Sequence, residues 1–148
     1  MCGNIENDEK QRIFVAVKGV VVKAGKALIV RRSDWRTPDG RDWWEFPGGT
    51  LLFRETPEQT LVREMQEETG LTVASGKLLY VWSVERPSEC QVIIITYLCD
   101  CGNESEVTLS DEHTGYVWAD AMQMRELLAD DIKEALDAND VWKIFDTE

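Results

Sequence analysis

The chain has 148 residues, of which 28 are acidic and 16 are basic, so its formal charge at pH 7 is −12. One domain is the natural expectation at this length, and a hydrophobic fraction of 43% can fill one sizeable core. The composition therefore excludes global disorder. So strong a negative charge also argues against a protein that binds nucleic acid polymers, and an anionic substrate would need a cation as mediator.

No stretch of the sequence approaches the roughly 18 unbroken apolar residues of a membrane-spanning helix. The polar start of the chain lacks the apolar centre of a signal peptide, which predicts a cytoplasmic protein without a membrane partner. The single histidine, His113, excludes a histidine cluster for zinc or iron and suits a surface or hydrogen-bonding role. A hydrolase made from this chain would have to work largely with carboxylates.

The first predicted elements follow a loose N-terminal tail over residues 1–11. Runs of β-branched residues predict strands over 13–22 and 26–32, joined by a turn at Ala24-Gly25. Turn-forming residues mixed with aromatic residues then predict a mobile surface loop over 33–44. The domain itself is expected to span residues 12–148.

The next segment carries explicit signals for a helix over residues 57–69. Thr56 can cap its amino end, Pro57 suits the first helical position, and Gln59 completes a capping box. Gly70 supplies the stop.

The second half of the chain predicts more strands and two further helices. The strands are expected over 71–85, 90–100 and 116–119, a helix capped by Asp120 through Leu128, and a final amphipathic helix over 131–145. Strands mixed with helices in one short chain indicate an α/β domain in which helices cover a sheet.

The predicted helix over 57–69 places Glu64, Glu67 and Glu68 on one face. Like charges at these spacings destabilise an isolated helix by a few tenths of a kcal/mol per pair, so a positive partner is expected. One interpretation is a solvated acidic face. The other is a site for a hard divalent cation such as Mg²⁺ or Mn²⁺, which prefers oxygen ligands.

The context favours the cation site. Gly48-Gly49 lies just upstream, where a backbone without side chains could approach an ion or a phosphate closely. Glu55 adds an acid at the helix entrance, and Arg63 can pair with it or with Glu67 and hold the group together.

These residues form a pattern that resembles the Nudix box of the Nudix hydrolase superfamily, G-x5-E-x7-R-E-U-x-E-E-x-G-U, where U is a bulky aliphatic residue. Every fixed position is matched between residues 49 and 71, by Gly49, Glu55, Arg63, Glu64, Met65, Glu67, Glu68, Gly70 and Leu71. The box covers about one sixth of the chain, and the order of the surrounding strands extends the likeness over most of it.

The resemblance implies a Nudix-type α/β/α sandwich with a mixed β-sheet in a single domain. It also implies divalent-metal-dependent attack of water on a diphosphate linkage in a nucleoside diphosphate derivative. Carried over by position, the metal ligands would be Glu64, Glu67, Glu68 and the carbonyl of Gly49. Glu64 is the first candidate for helping to deprotonate water, with Glu67 and Arg63 as further catalytic candidates.

A second acid outside the box is often involved in this family, and Glu112 is the candidate here for a base or an outer metal ligand. The alternative is an exposed loop acid. Of the adjacent Arg31 and Arg32 only one can face the site, and Arg32 is the candidate for phosphate contact.

Other substrate contacts are expected from the backbone of Gly48 and Gly49. Among the tryptophans, Trp35, Trp43 and Trp44 could stack on a base, with Trp44 the candidate. Core or loop packing explains each of them equally well.

The sequence is less informative about the substrate. Residues 44–49, WEFPGG, resemble the entry to the box in MutT-like members, which hydrolyse nucleoside triphosphates to the monophosphate and pyrophosphate. Pro87 instead occupies a position where members directed at ADP-ribose tend to carry proline. The first cue weighs more, because a proline between two strands has an ordinary turn explanation and this chain has little room for an extra N-terminal domain.

Two other classes of protein explain the sequence less well. A non-catalytic binding module would be expected to have lost a box carboxylate, and a metal-storage protein would not need the ordered cap, arginine and glycines. The expected partner is a small nucleotide, with the chain a monomer or a homodimer.

Overall fold

The computed structural model describes residues 11–86 and 90–145 of the chain. The expected N-terminal tail, residues 1–11, lies almost wholly outside the described residues, as does Pro87. The strands are β1 Arg12–Lys23, β2 Lys26–Arg36, β3 Asp42–Glu45, β4 Gly48–Thr50, β5 Ala74–Arg86, β6 Cys90–Asp100 and β7 His113–Ala119. The helices are α1 Pro57–Thr69, α2 Ala121–Leu127 and α3 Asp130–Ala138, followed by a 3₁₀ turn over Trp142–Phe145.

The strands form one mixed sheet in the order β3-β2-β1-β6-β5, with β4 added to β1 and β7 to β2. Strands β1 and β6 run parallel, whereas the other pairs are antiparallel. The β1–β2 hairpin turns at Ala24 and Gly25, both with positive φ, as the sequence predicts. β1 thus lies at the centre and brings residues from β4 and β6 to its two edges.

Helices cover both faces of the sheet. On one face α1 packs through Leu61 and Met65 against Val17 and Val21 of β1. On the other face α2, α3 and the 3₁₀ turn enclose a larger core that contains Val20, Ile29, Trp43, Met124, Leu136 and Trp142. The α/β/α sandwich with a mixed sheet in a single domain is confirmed.

The prediction of a surface loop over 33–44 was wrong. Strand β2 continues to Arg36 and pairs with β3, so only a short turn, closed by the bond from Thr37 N to Arg41 O at 2.8 Å, connects them. Trp35 and Trp43 meet edge to face at 5.6 Å between ring centroids. The aromatic side chains of this segment therefore pack the hairpin against the core and do not belong to a surface loop.

The prediction of one final helix over 131–145 was also wrong. Helix α3 ends at Ala138, and Asp140 adopts a left-handed conformation with φ of 55°. The Val141 amide then donates to the Leu136 carbonyl at 3.0 Å, a bond that closes a helix end. The apolar stripe continues, but a 3₁₀ turn carries it beyond the break.

Candidate active site

Helix α1 is fixed at both ends by its own sequence. The Thr56 hydroxyl accepts from the Gln59 amide at 3.2 Å, and the Gln59 side chain accepts from the Thr56 amide at 2.9 Å. At the other end Gly70 has φ of 74° and donates to the Gln66 carbonyl. The predicted capping box, N-terminal proline and glycine stop are confirmed, so the register of the glutamates on this helix is fixed locally.

Two consecutive glycines bring strand β4 against this helix. Gly48 has φ of 147°, and a Cβ there would lie 2.0 Å from the Val17 carbonyl oxygen. Its amide donates to Glu68 Oε2 at 2.9 Å. A Cβ on Gly49 would lie 2.4 Å from the carboxyl carbon of Glu64, so a side chain there would displace the Glu64 carboxylate.

Arg63 connects the acidic side chains of the helix. Its guanidinium binds both oxygens of Glu55, with Nε–Oε2 at 2.7 Å and Nη2–Oε1 at 2.9 Å. Its Nη1 also donates to Glu64 at 2.9 Å and to Glu67 at 3.2 Å. Hydrogen bonding to Arg63 holds the pKa of Glu55 at about 2. All of these contacts are internal to the chain, so Arg63 positions the carboxylates.

These elements surround a cleft of about 510 Å³. Its lining includes Lys18, Arg32, Trp35, Glu45, Gly48, Gly49, Glu64, Glu67, Glu68 and Glu112. The structure therefore brings together the predicted metal ligands, the two glycines, Arg32 and Glu112.

The positions of the two adjacent arginines differ. Arg32 lines the cleft with its guanidinium carbon 4.1 Å from the Trp35 ring centroid. Arg31 instead donates to the hydroxyl and carbonyl oxygens of Thr114, at 3.1 and 3.0 Å. The choice of Arg32 as the cleft residue thus agrees with the alternation of strand β2.

Trp44 is not brought to the cleft. It is 9% exposed, belongs to the core under α2 and α3, and lies beside Arg31. The next residue along β3, Glu45, lines the cleft instead, as expected from the alternation of side chains along a strand. Trp35, by contrast, lines the cleft.

Glu112 and Glu68 reach the cleft from different environments. Glu112 is exposed, and its carbonyl accepts from the Ser33 amide at 3.2 Å, which ties its loop to strand β2. Glu68 is only 5% exposed. Burial raises the pKa of Glu68 to about 7, although Lys18 and the Gly48 amide oppose the increase.

Sequence reasoning missed a charged group at the floor of the cleft. The buried Glu45 carboxylate accepts from Trp43 Nε1 at 2.9 Å and lies 3.4 Å from Lys18 Nζ and 3.5 Å from His113 Nε2. Burial alone would raise the pKa of Glu45, but Lys18, His113 and their neighbours outweigh it and lower the pKa to about 2. The available signal was a single lysine inside the apolar run of 13–22.

The donor set of the cleft fits a hard divalent ion. Glu64, Glu67 and Glu68 offer carboxylate oxygens, and Gly49 offers a carbonyl on a backbone that no side chain shields. Across residues 11–86 and 90–145, no three acidic, histidine or cysteine side chains already converge at metal-ligand spacing.

Together, the sandwich fold and the acidic cleft define a class of enzymes that hydrolyse phosphoanhydrides with the help of a divalent metal. A family model described as "NUDIX domain" matches residues 12–138, and the chain belongs to this family. It is a MutT-like member and a hydrolase of nucleoside diphosphate derivatives, which are small nucleotide substrates. Members of the family generally require divalent metal ions.

Three relatives illustrate the range of names in the family. The chain is 34% identical over 117 residues to a "MutT-like protein" of Streptomyces ambofaciens, covering 78% of this chain and 70% of the relative. It is 39% identical to an "8-oxo-dGTP diphosphatase" of Proteus vulgaris, covering 48% and 62%. It is 36% identical to an "ADP-ribose pyrophosphatase" of Methanocaldococcus jannaschii, covering 62% and 56%. The chain thus spans less than two thirds of the length of the latter two.

A solved structure agrees with the fold. The MutT protein from Methanosarcina mazei Go1 superposes with a TM-score of 0.77 at 26% identity, covering 92% of this chain and 99% of that one. Of the helices that the structure describes, none has the length and apolar character to cross a membrane.

Proposed function

We propose that this enzyme hydrolyses a nucleoside or deoxynucleoside triphosphate to the monophosphate and pyrophosphate, with Mg²⁺ or Mn²⁺ as the metal. The observation that carries the proposal is the cleft itself, where the three glutamates of α1 meet the Gly48-Gly49 backbone and two cationic side chains. The likeness to a protein named "8-oxo-dGTP diphosphatase" and the WEFPGG segment support the triphosphate.

The metal would be held by Glu64, Glu67, Glu68 and the carbonyl of Gly49. When bound, a divalent ion neutralises phosphate oxygens and polarises the attacking water. No histidine and no nucleophilic side chain is then required for the chemistry.

The remaining roles fall to residues that surround these ligands. Glu64 is the first candidate for accepting the proton of water, and Glu112 is the second, since it lines the same cleft. Arg63 keeps Glu64 and Glu67 in place through its hydrogen bonds. Arg32 and the backbone of Gly48 and Gly49 would contact phosphate oxygens.

A second candidate function is hydrolysis of ADP-ribose or another nucleotide sugar or dinucleotide. The likeness to a protein named "ADP-ribose pyrophosphatase" favours it. The Pro87 cue that also favours it has an ordinary turn explanation, so the triphosphate remains the first proposal. The expected cytoplasmic location and the choice between monomer and homodimer stay predictions.

A substrate panel tests the proposal. Canonical and oxidised dNTPs, NTPs, ADP-ribose, NADH and dinucleoside polyphosphates are each incubated with the enzyme, with and without Mg²⁺, and the products are separated. We expect metal-dependent release of pyrophosphate from a triphosphate. Faster turnover of ADP-ribose than of every triphosphate would favour the second candidate instead.

The variant Glu64→Gln tests the role of the carboxylate helix. We expect activity to fall by at least about two orders of magnitude, because metal binding and water activation both depend on this carboxylate. Glu58→Gln is the matched control on the same helix, since Glu58 accepts from the Tyr97 hydroxyl and lies outside the cleft lining. Unchanged activity in Glu64→Gln would show that the assignment is wrong.

A further inference from the structure

Lys18 occupies an unusual position on the central strand. It is the one charged residue within the apolar run of β1, and its side chain is 18% exposed. Its backbone pairs with Gly48 of β4, the glycine that binds Glu68. The lysine therefore enters the cleft from the floor, beside the glycines that face the carboxylate helix.

The ammonium group of Lys18 keeps hydrogen-bonding capacity toward the cleft. Among the residues that the structure describes, its one hydrogen-bond or ion-pair partner is Glu45 Oε2 at 3.4 Å. An ammonium carries three donors, so one long contact leaves capacity for further acceptors. Glu45 is itself anchored by the hydrogen bond from Trp43 Nε1, which makes it a fixed support for the lysine.

Lys18 neutralises Glu45, but this structural role does not by itself require the lysine side chain to line the cleft. Its side chain, however, lines the same cleft as Glu64, Glu67 and Glu68, where Arg32 is the other cation of the lining. Arg32 already binds Asp34 at 3.3 Å and stacks on Trp35. A polyphosphate entering so acidic a cleft needs cationic contacts, and Lys18 is the less committed of the two.

A second pocket indicates which part of a nucleotide would lie nearest to Lys18. It adjoins the cleft, shares Lys18, Glu45 and Ile94 with it, and has aromatic walls that include Trp43, Phe46 and Trp82. The buried Trp82 Nε1 has no hydrogen-bond partner among the described residues. Aromatic walls with an unmatched donor suit a flat heteroaromatic ring that carries acceptors.

We propose that Lys18 Nζ donates a hydrogen bond to a non-bridging oxygen of the phosphate that is attached to the nucleoside. This inference rests on the proposed function, because it takes a nucleoside diphosphate derivative as the substrate. With the ring toward the aromatic pocket and the scissile linkage at the carboxylates, the phosphate between them lies at the residue that both pockets share. Lys18 is thus a substrate-binding residue on the side of the monophosphate product.

The test compares the two products as inhibitors. For dGTP as substrate, the inhibition constants of dGMP and pyrophosphate are measured along with kcat and KM; for ADP-ribose, the inhibitors are AMP and ribose 5-phosphate. In Lys18→Met we expect KM and the inhibition constant of the nucleoside monophosphate to rise about 10- to 100-fold. The constant for the other product should change by less than about threefold, and Lys18→Arg should recover most of the loss.

Lys26→Met is the matched control, because it removes one lysine from an exposed position outside the cleft. An equal rise in both inhibition constants would contradict the proposal, since it would indicate a general loss of positive charge. Unchanged constants in Lys18→Met would contradict it too.

Folding needs its own control, because Lys18→Met leaves the buried Glu45 carboxylate without its cation. The double variant Lys18→Met/Glu45→Gln removes both charges and should show the same split between the two products. Calorimetric titration of the wild type and Lys18→Met with dGMP and AMP measures binding without turnover. If the wild type hydrolyses nothing in the panel, the proposed function fails. The role of Lys18 is overturned if the wild type and Lys18→Met bind the monophosphates equally well, or if neither binds them.

Discussion

Two charged residues, Arg63 and Glu45, hold the functional side chains of the cleft in place, one on each side. Arg63 gathers Glu55, Glu64 and Glu67 from one side, which lowers the repulsion among carboxylates on α1. Glu45 holds Lys18 from the other side. Each is an anchor rather than a reactive group, so the same residues that shape the site also contribute to folding.

Glu45 therefore links stability to pH. Its pKa falls from 4.5 to about 2 in the folded protein, so its ionised form stabilises the fold fully above pH 4.5. This contribution is lost as the pH falls through about 2. A difference of this size corresponds to about 3 kcal/mol, and we expect Glu45→Gln to lower the free energy of unfolding at pH 7 by an amount of that order.

Urea denaturation at a series of pH values between about 7 and 3 checks this prediction. The difference between wild type and Glu45→Gln should stay constant above pH 4.5 and narrow below it. Glu126→Gln, at an exposed position on α2, is the control for the same chemical change. A difference that does not narrow in acid would show that Glu45 acts through packing alone.

Among the elements, helix α1 depends most on local signals, and its capping box can be tested directly. Thr56→Ala removes the side-chain acceptor for the Gln59 amide. We expect the free energy of unfolding to fall by about 1 kcal/mol, which is typical for loss of an N-terminal cap. Turnover measured well below the unfolding temperature should be unchanged, since Thr56 does not line the cleft.

Thermal and urea unfolding of Thr56→Ala and of Gln59→Ala measure the two halves of the box separately. Both variants should have a lower free energy of unfolding than the wild type, because each lacks one hydrogen bond to a backbone amide at the helix start. If neither variant loses stability, then tertiary contacts of Leu61 and Met65 fix the helix without help from its cap.

The contrast between elements explains what could be predicted from sequence. Helix α1 carries its start, its stop and its chemistry within one continuous segment, so its boundaries and its shared glutamate face could be predicted. Strand β3 has no such local signal, because Trp43 is held by an aromatic contact with Trp35 on another strand. The break after Ala138 is set by Asp140, which the continuing apolar pattern conceals.

The candidate site also contains residues that could be predicted from local sequence and residues that could not. The box residues lie in one continuous segment that runs from strand β4 through helix α1, so their pattern points to one cleft. The Lys18–Glu45 pair joins residues from β1 and β3, and only the sheet brings them to 3.4 Å. Trp44 and Trp35 show the same limit, since strand alternation and register decide which tryptophan reaches the cleft, and neither can be read before the hairpin is known.

At the scale of the whole molecule, the net charge of −12 opposes the approach of a polyphosphate. Raising the ionic strength from about 0.01 M to about 0.15 M shortens the Debye length from about 30 Å to about 8 Å. With Mg²⁺ in fixed excess, we expect kcat/KM for the best substrate to rise about twofold or more over this range, because screening weakens long-range repulsion.

The measurement is a series of initial rates in KCl, with kcat at saturating substrate as the internal control. Screening changes the encounter of enzyme and substrate, so kcat should stay nearly constant while KM falls. A fall in kcat/KM with salt would contradict the prediction. It would show that Lys18 and Arg32 in the cleft, which lie closest to an arriving phosphate, outweigh the acidic surface that surrounds them.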